Sequence, residues 1–367
     1  MRILFLADAK SSHTHKWVLG LSERGFDVHL FSLNDPPLNW YNKNIKIYSL
    51  GLSEKVKYES EISINKLKYL NAIKKITSLI KLINPDILHS HYASSYGLLG
   101  SAAKFHPFII SVWGSDIEIF PSKSFFHKLL IKHILNSADK VLATSSYLAA
   151  KVNDIVQCSI TIIPFGVDVE KFKPDYPKIV IQKGIVIGTI KSLEDTYGID
   201  ILIKAFNYAK NKIPGLELKL LIVGRGSKER ELKKTAASLL NRNDYEFTGY
   251  VDYTLISDYH NTINIPVYLS RKESFGVSVI ESMSCGKPVI ATDIGGLREI
   301  ISNGVEGLLV QPDNIVLAAE AIEKLVLNPV LRSEMGNNGI KKVLKYYNWE
   351  DNLDKMVSLY RELKNAE

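Results

Sequence analysis

Residues 270–296 read Ser270-Arg-Lys-Glu-Ser-Phe-Gly-Val-Ser-Val-Ile-Glu-Ser-Met-Ser-Cys-Gly-Lys-Pro-Val-Ile-Ala-Thr-Asp-Ile-Gly-Gly296. The apolar run just before them, Ile265–Tyr268, predicts a strand. Glu273 then falls in the loop at that strand's carboxyl end. Gly276 permits a tight turn and a close backbone approach. Val277–Cys285 has the pattern of a helix, which Gly286 stops and Pro288 cannot continue. A second apolar run, Pro288–Ala291, leads to Asp293 and two glycines. Strand, loop, helix and strand in so short a span form the repeating unit of a parallel α/β sheet.

Working outward, the same alternation fills the chain. In the first half, strands are predicted over Arg2–Leu6, Val28–Ser32, Ile87–His89, Phe108–Val112, Lys140–Ala143 and Ile160–Ile163. In the second half they are predicted over Ile185–Ile190, Lys219–Val223, Glu246–Thr248, Ile265–Tyr268, Pro288–Ala291 and Gly307–Val310. Helical patterns lie between them at Lys16–Glu23, Ile199–Lys210, Glu229–Leu240 and Ile315–Leu325. The proline-bearing stretch Ile163–Pro177 reads as a join. The expected architecture is two doubly wound, Rossmann-like domains, residues 1–170 and 171–345, facing a cleft. A last helix, within 346–367, is expected to pack back on the first domain. Ligands of such folds sit outside the carboxyl ends of the strands.

The 367 residues are enough for two cores, and 46% hydrophobic with 23% charged residues excludes wholesale disorder. Two cysteines, Cys158 and Cys285, cannot make a disulfide framework, which fits a reducing cytosol. Asp8 and Lys10 interrupt the apolar start before it becomes a secretory signal, and no apolar run has transmembrane length. A net charge of +7 fits nucleic acid, anionic lipid or a phosphorylated ligand, and a lysine-rich proteome accounts for it equally well.

The chemistry expected of residues 270–296 follows from their frame. The helix start after Gly276 offers free amides and a positive dipole end, a seat for a diphosphate. Glu281 lies about one turn inside that helix, within reach of a ribose, whose paired hydroxyls a carboxylate can accept. Glu273 on the loop is placed to do the same for a sugar. Two glutamates eight residues apart are unremarkable by themselves, and the strand-loop-helix setting is what gives them weight.

Glu273 and Glu281, followed by Gly286-x-Pro288-Val-Ile-Ala-Thr-Asp293-x-Gly-Gly296, resemble the donor-site signature of glycosyltransferase family 4, which has the GT-B fold. The likeness is specific here and looser over nearly the whole chain. It implies a retaining glycosyltransferase that uses a nucleotide-sugar, UDP-sugar favoured and GDP-sugar possible in the family, without metal or other cofactor. It implies Glu281 on the ribose, Glu273 on the transferred sugar, and the backbone of Phe275, Gly276 and Val277 against sugar and phosphates. Gly224-Arg225-Gly226 and Thr248-Gly-Tyr250-Val251 resemble the loops lining the base pocket. Lys191, in the loop after Ile185–Ile190, is the expected phosphate cation. Where the family has a second lysine this chain has Tyr197, leaving Lys272 or Arg271 as substitutes.

The first domain is expected to hold a glycan or lipid-linked acceptor, as in bacterial surface polysaccharide assembly. Its strand-end loops carry His13, His15, Lys16, His89 and His91. Relatives have His-Gly-x-Asp where this chain has Trp113-Gly-Ser-Asp116, so proton transfer cannot be assigned to Trp113. His91 is the expected catalytic contact of this domain, with His15, Lys16, Trp113 and Asp116 on the acceptor. No histidine pair has the spacing of a zinc site. Ser124–Leu135 mixes Phe125, Phe126, Leu129 and Leu130 with Lys128, Lys132 and His133, a pattern open to peripheral contact with the cytoplasmic face of a membrane. Asn65–Ile83 reads instead as a core-facing helix. The competing readings are another nucleotide-sugar enzyme such as an epimerase, or a basic nucleic-acid-binding protein. The latter lacks any recognisable RNA or DNA module.

Overall fold

A computed structural model of the chain describes residues 1–52, 62–176, 179 and 184–365, without the side chains of 62–70. Pro177, and the side chains of Lys66, Leu67, Lys68 and Leu70 in the Asn65–Ile83 pattern, lie outside the described residues. The chain divides into two compact units, Met1–Pro164 with Asp351–Glu367, and Phe165–Glu350.

Unit 1 is built on a seven-stranded parallel sheet. Its strands are β1 (Arg2–Leu6), β2 (Asp27–Ser32), β3 (Lys46–Ser49), β4 (Ile87–His91), β5 (Phe108–Val112), β6 (Lys140–Ala143) and β7 (Ile160–Ile162), in the order β3-β2-β1-β4-β5-β6-β7. The order reverses between β1 and β4, which makes their carboxyl ends the natural crevice. Strand β3 was not expected. It has four residues, none of them fully buried, and Lys46 and Ser49 at its two ends break up the apolar run that would announce it. The helix Ser12–Glu23 starts earlier than its apolar pattern, because Ser11 caps it by accepting from the Thr14 amide. His13, His15 and Lys16 therefore stand on the first turns of a helix rather than in a loop.

The segment Asp351–Glu367 belongs to this unit through the helix Trp349–Asn365. Tyr360 is fully buried and its hydroxyl lies 2.6 Å from His89 Nδ1. Ser111 Oγ is 2.8 Å from the other ring nitrogen, so a histidine in the middle of a buried strand has both nitrogens satisfied. The described part of the helix Ile62–Ile83 buries Ala72, Ile76, Leu79 and Ile83 and leaves Lys74, Lys75 and Lys81 exposed. That is the core-facing arrangement its pattern predicts.

Unit 2 carries a six-stranded parallel sheet. Its strands are β8 (Ile185–Ile190), β9 (Leu218–Val223), β10 (Tyr245–Gly249), β11 (Ile265–Tyr268), β12 (Val289–Thr292) and β13 (Gly307–Val310), ordered β10-β9-β8-β11-β12-β13. Here the switch point lies between β8 and β11. The boundary between the units, Pro164 to Phe165, falls inside the stretch read as a join, and its described residues from Phe165 on belong to this unit. The Val167 amide donates to Tyr347 O at 2.7 Å and the Trp349 amide to Val167 O at 2.9 Å. Phe172 is fully buried, its ring 5.5 Å from that of His260. Among the described residues, no helix is long and apolar enough to cross a membrane.

Candidate active site

The loops after β8 and β11 meet at the switch point of unit 2. The Arg271 amide donates to Thr196 O at 2.7 Å, tying one loop to the other. Lys191 and Glu273 come together there, Nζ to Oε2 at 2.5 Å, with both side chains largely buried. Ser270 Oγ donates to the same carboxylate oxygen at 3.2 Å. The ammonium also sits 4.6 Å from the centre of the Tyr197 ring. Tyr197, standing where the family has a second lysine, thus packs on the first cation through its π face.

The loop after β9 is pressed onto this cation's backbone. Gly224 has φ +135°, and a Cβ there would stand 2.0 Å from Lys191 O. Only glycine allows so close an approach in that conformation. The Lys191 amide donates to Val223 O at 3.1 Å and the Leu193 amide to Arg225 O at 3.0 Å. The Gly224 amide donates to Gly249 O at 3.0 Å, which brings the loop after β10 alongside. Arg225 and Tyr250, the expected base-pocket residues, are both exposed and stack cation on ring at 5.0 Å. Val251 turns instead to the apolar cluster of Val186, Ile190, Leu221, Val223 and Ile263.

Gly276, with φ +118°, opens the helix Val277–Ser284, which has no side-chain cap and no acidic residue in its first turn. A Cβ at Gly276 would press to 2.8 Å of Leu297. The backbone of Phe275–Val277 therefore forms the helix mouth. The Phe275 side chain does not line it, being buried edge-on between Phe165 and Tyr347.

Glu281 is 6% exposed on that helix and is held by residues from elsewhere in the unit. His260 Nε2 lies 3.3 Å from its Oε2, and His260 Nδ1 lies 2.8 Å from Ser282 Oγ. Burial, and with it the nearby Glu281 carboxylate, pushes the Tyr253 hydroxyl well above its ordinary range. Lys171 Nζ donates to Tyr253 O at 2.8 Å and lies 3.6 Å from the centre of the Tyr253 ring. Partial burial holds the Lys171 ammonium below the usual lysine range, against the pull of Glu281 and Asp168. Lys171, Tyr253 and His260 were not among the expected residues. The Lys171-Phe172 pair lay in what read as a join, and only the β10–β11 crossover brings the other two to Glu281.

Arg271 does not supply the second cation expected of it. Its guanidinium is committed to Asp200 at 3.0 Å and Asp313 at 2.8 Å. Lys272 is exposed on the same loop.

In unit 1 the expected residues gather at the carboxyl ends of β1, β4 and β5. His91 is fully buried, with Nδ1 3.3 Å from Thr14 Oγ1 and its ring 4.6 Å from that of Trp113. Burial, with His89 and His13 nearby, drives its pKa well below the ordinary value, so His91 is neutral. Asp116, expected to touch the acceptor, is fully buried instead. Its carboxylate accepts from the amides of Ala93 at 2.8 Å, Trp113 at 3.2 Å and Gly114 at 2.8 Å. Desolvation raises its pKa while these amides oppose the rise. It shapes the Trp113-Gly114 turn rather than facing a ligand. His15 stacks on Trp40 with ring centres 4.6 Å apart, and its Nε2 donates to Trp40 O at 2.7 Å. Lys16 is half-buried on the next position of the same helix.

Comparison with known proteins agrees with both halves. Residues 173–342 match the family model described as glycosyl transferases group 1, and residues 2–145 match glycosyl transferase 4-like. The capsular polysaccharide biosynthesis glycosyltransferase CapM of Staphylococcus aureus is 27% identical, covering 95% of this chain and 93% of its own. Among solved structures, sucrose-phosphate synthase from Thermosynechococcus elongatus superposes with a TM-score of 0.85 over 100% of both chains at 21% identity. The HepE protein of Anabaena, solved in complex with UDP and glucose, superposes with a TM-score of 0.80 at 17% identity, covering 99% of this chain and 100% of its own. These likenesses give the fold as GT-B and set aside the epimerase and nucleic-acid readings. The chain belongs to the group 1 glycosyl transferases and is a glycosyltransferase.

Proposed function

We propose that this glycosyltransferase takes a sugar from a nucleotide-sugar donor, a UDP-sugar first among them, and passes it with retention to a glycan or lipid-linked acceptor. The observation that carries the reading is the pairing of Lys191 with Glu273 beside the helix mouth at Gly276, while Glu281 is held one turn inside. In the donor complex Lys191 moves to the diphosphate, whose remaining charge is met by the helix N-terminus. Glu273, released from the ammonium, accepts hydroxyls of the sugar. Glu281 accepts the ribose hydroxyls. On this reading no metal ion is needed, because charge neutralisation comes from the chain's own groups.

In the transfer step the bond from the anomeric carbon to the diphosphate oxygen breaks. The acceptor hydroxyl oxygen forms the new bond on the same face, and its proton passes to the leaving phosphate oxygen. Neither glutamate is asked to be a nucleophile. Lys191 and the helix amides stabilise the charge growing on the leaving group.

UDP is favoured because the similar HepE fold was solved with UDP and glucose, and a surface polysaccharide role because CapM is named for capsule synthesis. A lipid-linked acceptor would put the work at the cytoplasmic face of a membrane. The helix Phe125–Asn136 supports this, with Phe125 and Phe126 70% and 78% exposed beside exposed Lys128, Lys132 and His133. A thermal-shift panel of nucleotide-sugars tests the donor, with the largest stabilisation expected from a UDP-sugar. The anomeric configuration of the product, read by NMR, tests retention. Stabilisation by no nucleotide-sugar, or an inverted product, would sink the reading.

A further inference from the structure

We propose that Arg271 is a positioning residue for the transfer reaction. Its guanidinium clamps the loop that carries Glu273 to the loop that carries Lys191, and so sets the carboxylate against the ammonium. It acts through the main chain, two residues before Glu273. The inference rests on the donor reading of that pair.

All three guanidinium nitrogens have partners. Nε donates to Asp313 at 2.8 Å, and Nη2 to the two Asp200 oxygens at 3.1 and 3.0 Å. Nη1 donates to Asp195 O. The Arg271 amide adds its own bond to Thr196 O. One residue therefore joins three stretches to the Glu273 loop. They are the turn Asp195–Tyr197 that follows Lys191, the first turn of the helix Ile199–Lys212, and the turn after β13. The same two loops also meet at Gly198, with φ +61°, where a Cβ would collide with Leu269 O. That turn is itself anchored from the loop after β9. The Ser227 amide donates to Glu194 at 2.8 Å, and Lys228 Nζ lies 3.3 Å from the Asp195 carboxylate. At Glu273 the main chain is held again, its carbonyl accepting from the Gly296 amide at 3.0 Å.

The contacts close into a circuit. Glu273 pairs with Lys191, Lys191 sits on the Tyr197 ring, and Thr196 next to it accepts from Arg271. Two aspartates balance the guanidinium, so it is poorly suited to attract a diphosphate. Stability does not explain it either. The Arg271, Asp200 and Asp313 side chains are 31%, 34% and 55% exposed, and ion pairs so open to water add little. What a planar fork adds is direction, because it meets several acceptors at once in a fixed geometry that a single ammonium cannot copy. Lys191 has separate support, since its amide continues β8 by donating to Val223 O. Loss of the clamp should thus displace Glu273 and leave the cation in place.

The test uses the whole chain and the variants Arg271→Gln, Arg271→Lys and Asp200→Ala. Crystal structures without ligand should show the Glu273 carboxylate displaced by about 1 Å or more from its place beside Lys191, a shift large enough to cost up to about 10²-fold in rate. UDP release from UDP-glucose, with water as acceptor, should accordingly fall about 10- to 100-fold in kcat. Calorimetry should find UDP affinity unchanged, a split that a merely destabilised protein would not give. Arg271→Lys keeps the charge and loses the fork, and should fall nearly as far as Arg271→Gln. The double variant of Arg271→Gln with Asp200→Ala should fall no further than the lower single one, because the two residues act as one unit. An unmoved Glu273 in Arg271→Gln, full kcat in Arg271→Lys, or tighter UDP binding in Asp200→Ala would each overturn the proposal, the last by showing that a released guanidinium binds phosphate. An unmodified chain that neither binds UDP nor releases it from UDP-glucose counts against the donor reading alone, and the ligand-free structures still decide whether Arg271 holds Glu273.

Discussion

The Lys191 ammonium lies 2.5 Å from the Glu273 carboxylate, in a setting where both side chains are more than four-fifths shielded from solvent. The cation and the carboxylate thus neutralise each other. On the proposed reading, a diphosphate competes with Glu273 for the cation and so frees the carboxylate for the sugar.

Glu273→Gln should therefore separate binding from transfer. It removes the internal competitor, so affinity for UDP alone is expected to hold or rise. Transfer should fall by about 10²–10³-fold, the usual range for losing a positioned polar group of the transition state. Calorimetry with UDP beside a transfer assay checks both arms. Weaker UDP binding in this variant would show that Glu273 does not oppose the diphosphate.

Lys191→Gln should do the reverse. A charge-assisted contact of about 1.5–3 kcal/mol is lost, so UDP and nucleotide-sugar affinity should drop roughly 10- to 100-fold. Transfer with wild-type saturation behaviour would refute Lys191 as the phosphate cation. With this charge supplied by the chain, activity should also survive dialysis against a chelator, and rescue by added magnesium would count against a metal-free site.

Glu281 offers a graded series. His260→Ala deletes the ring partner that lies 3.3 Å from the carboxylate and should cost about 0.5–1.5 kcal/mol of nucleotide affinity. Glu281→Gln removes the charge and one of the two oxygens that accept the ribose diol, and should cost more. If both variants bind uridine nucleotides as the parent does, the ribose lies elsewhere.

Gly224→Ala tests the backbone beneath Lys191. The added Cβ would have to share space with Lys191 O, at 2.0 Å, in a backbone region hostile to side chains. The cost should be at least about 2 kcal/mol, or roughly 4–8 °C in melting temperature for a unit of this size. Gly215→Ala is the comparison, with φ +93° but nothing within 4 Å, and should cost only about 1–2 kcal/mol. Similar losses in both would mean that the close approach at Gly224 is unimportant.

The two buried histidines of β4 set a pH dependence of stability. Burial pushes His89 down to about 3, and His91 falls well below its ordinary value. In the unfolded chain both titrate near 6.5. Below that pH the unfolded state takes up protons that the native state refuses, so stability falls as pH falls. The loss approaches about 1.4 kcal/mol per pH unit for each histidine. Urea denaturation between pH 7.5 and 5 should show it, and His89→Gln should flatten the slope. A flat profile in the parent would mean that these rings are charged in the fold.

The frame that carries Glu273, Gly276 and Glu281 was legible in the sequence because a strand, a turn and a helix start are local events. The same locality explains why most strands were placed within a residue or two. Lys171, Tyr253 and His260 were not legible. They lie far from Glu281 along the chain and reach it only through crossover connections that no short window contains. Asp116 was misread for the opposite reason. A short motif marks it, but a motif does not say whether a carboxylate faces a ligand or its own backbone. Tyr197 and Arg271 show the limit of reasoning by substitution. The tyrosine packs on the cation already present, and the arginine is engaged by Asp200 and Asp313.

The assignment of Asp351–Glu367 to unit 1 has a temporal consequence. A growing chain presents Met1–Pro164 before Phe165–Glu350, yet the helix that satisfies His89 through Tyr360 is made after both. The second unit, continuous in sequence, can complete its sheet while the first still lacks a piece. On the ribosome, the half that begins earliest is therefore the half that finishes latest, and chains cut short near their end would carry an exposed, unfinished first half.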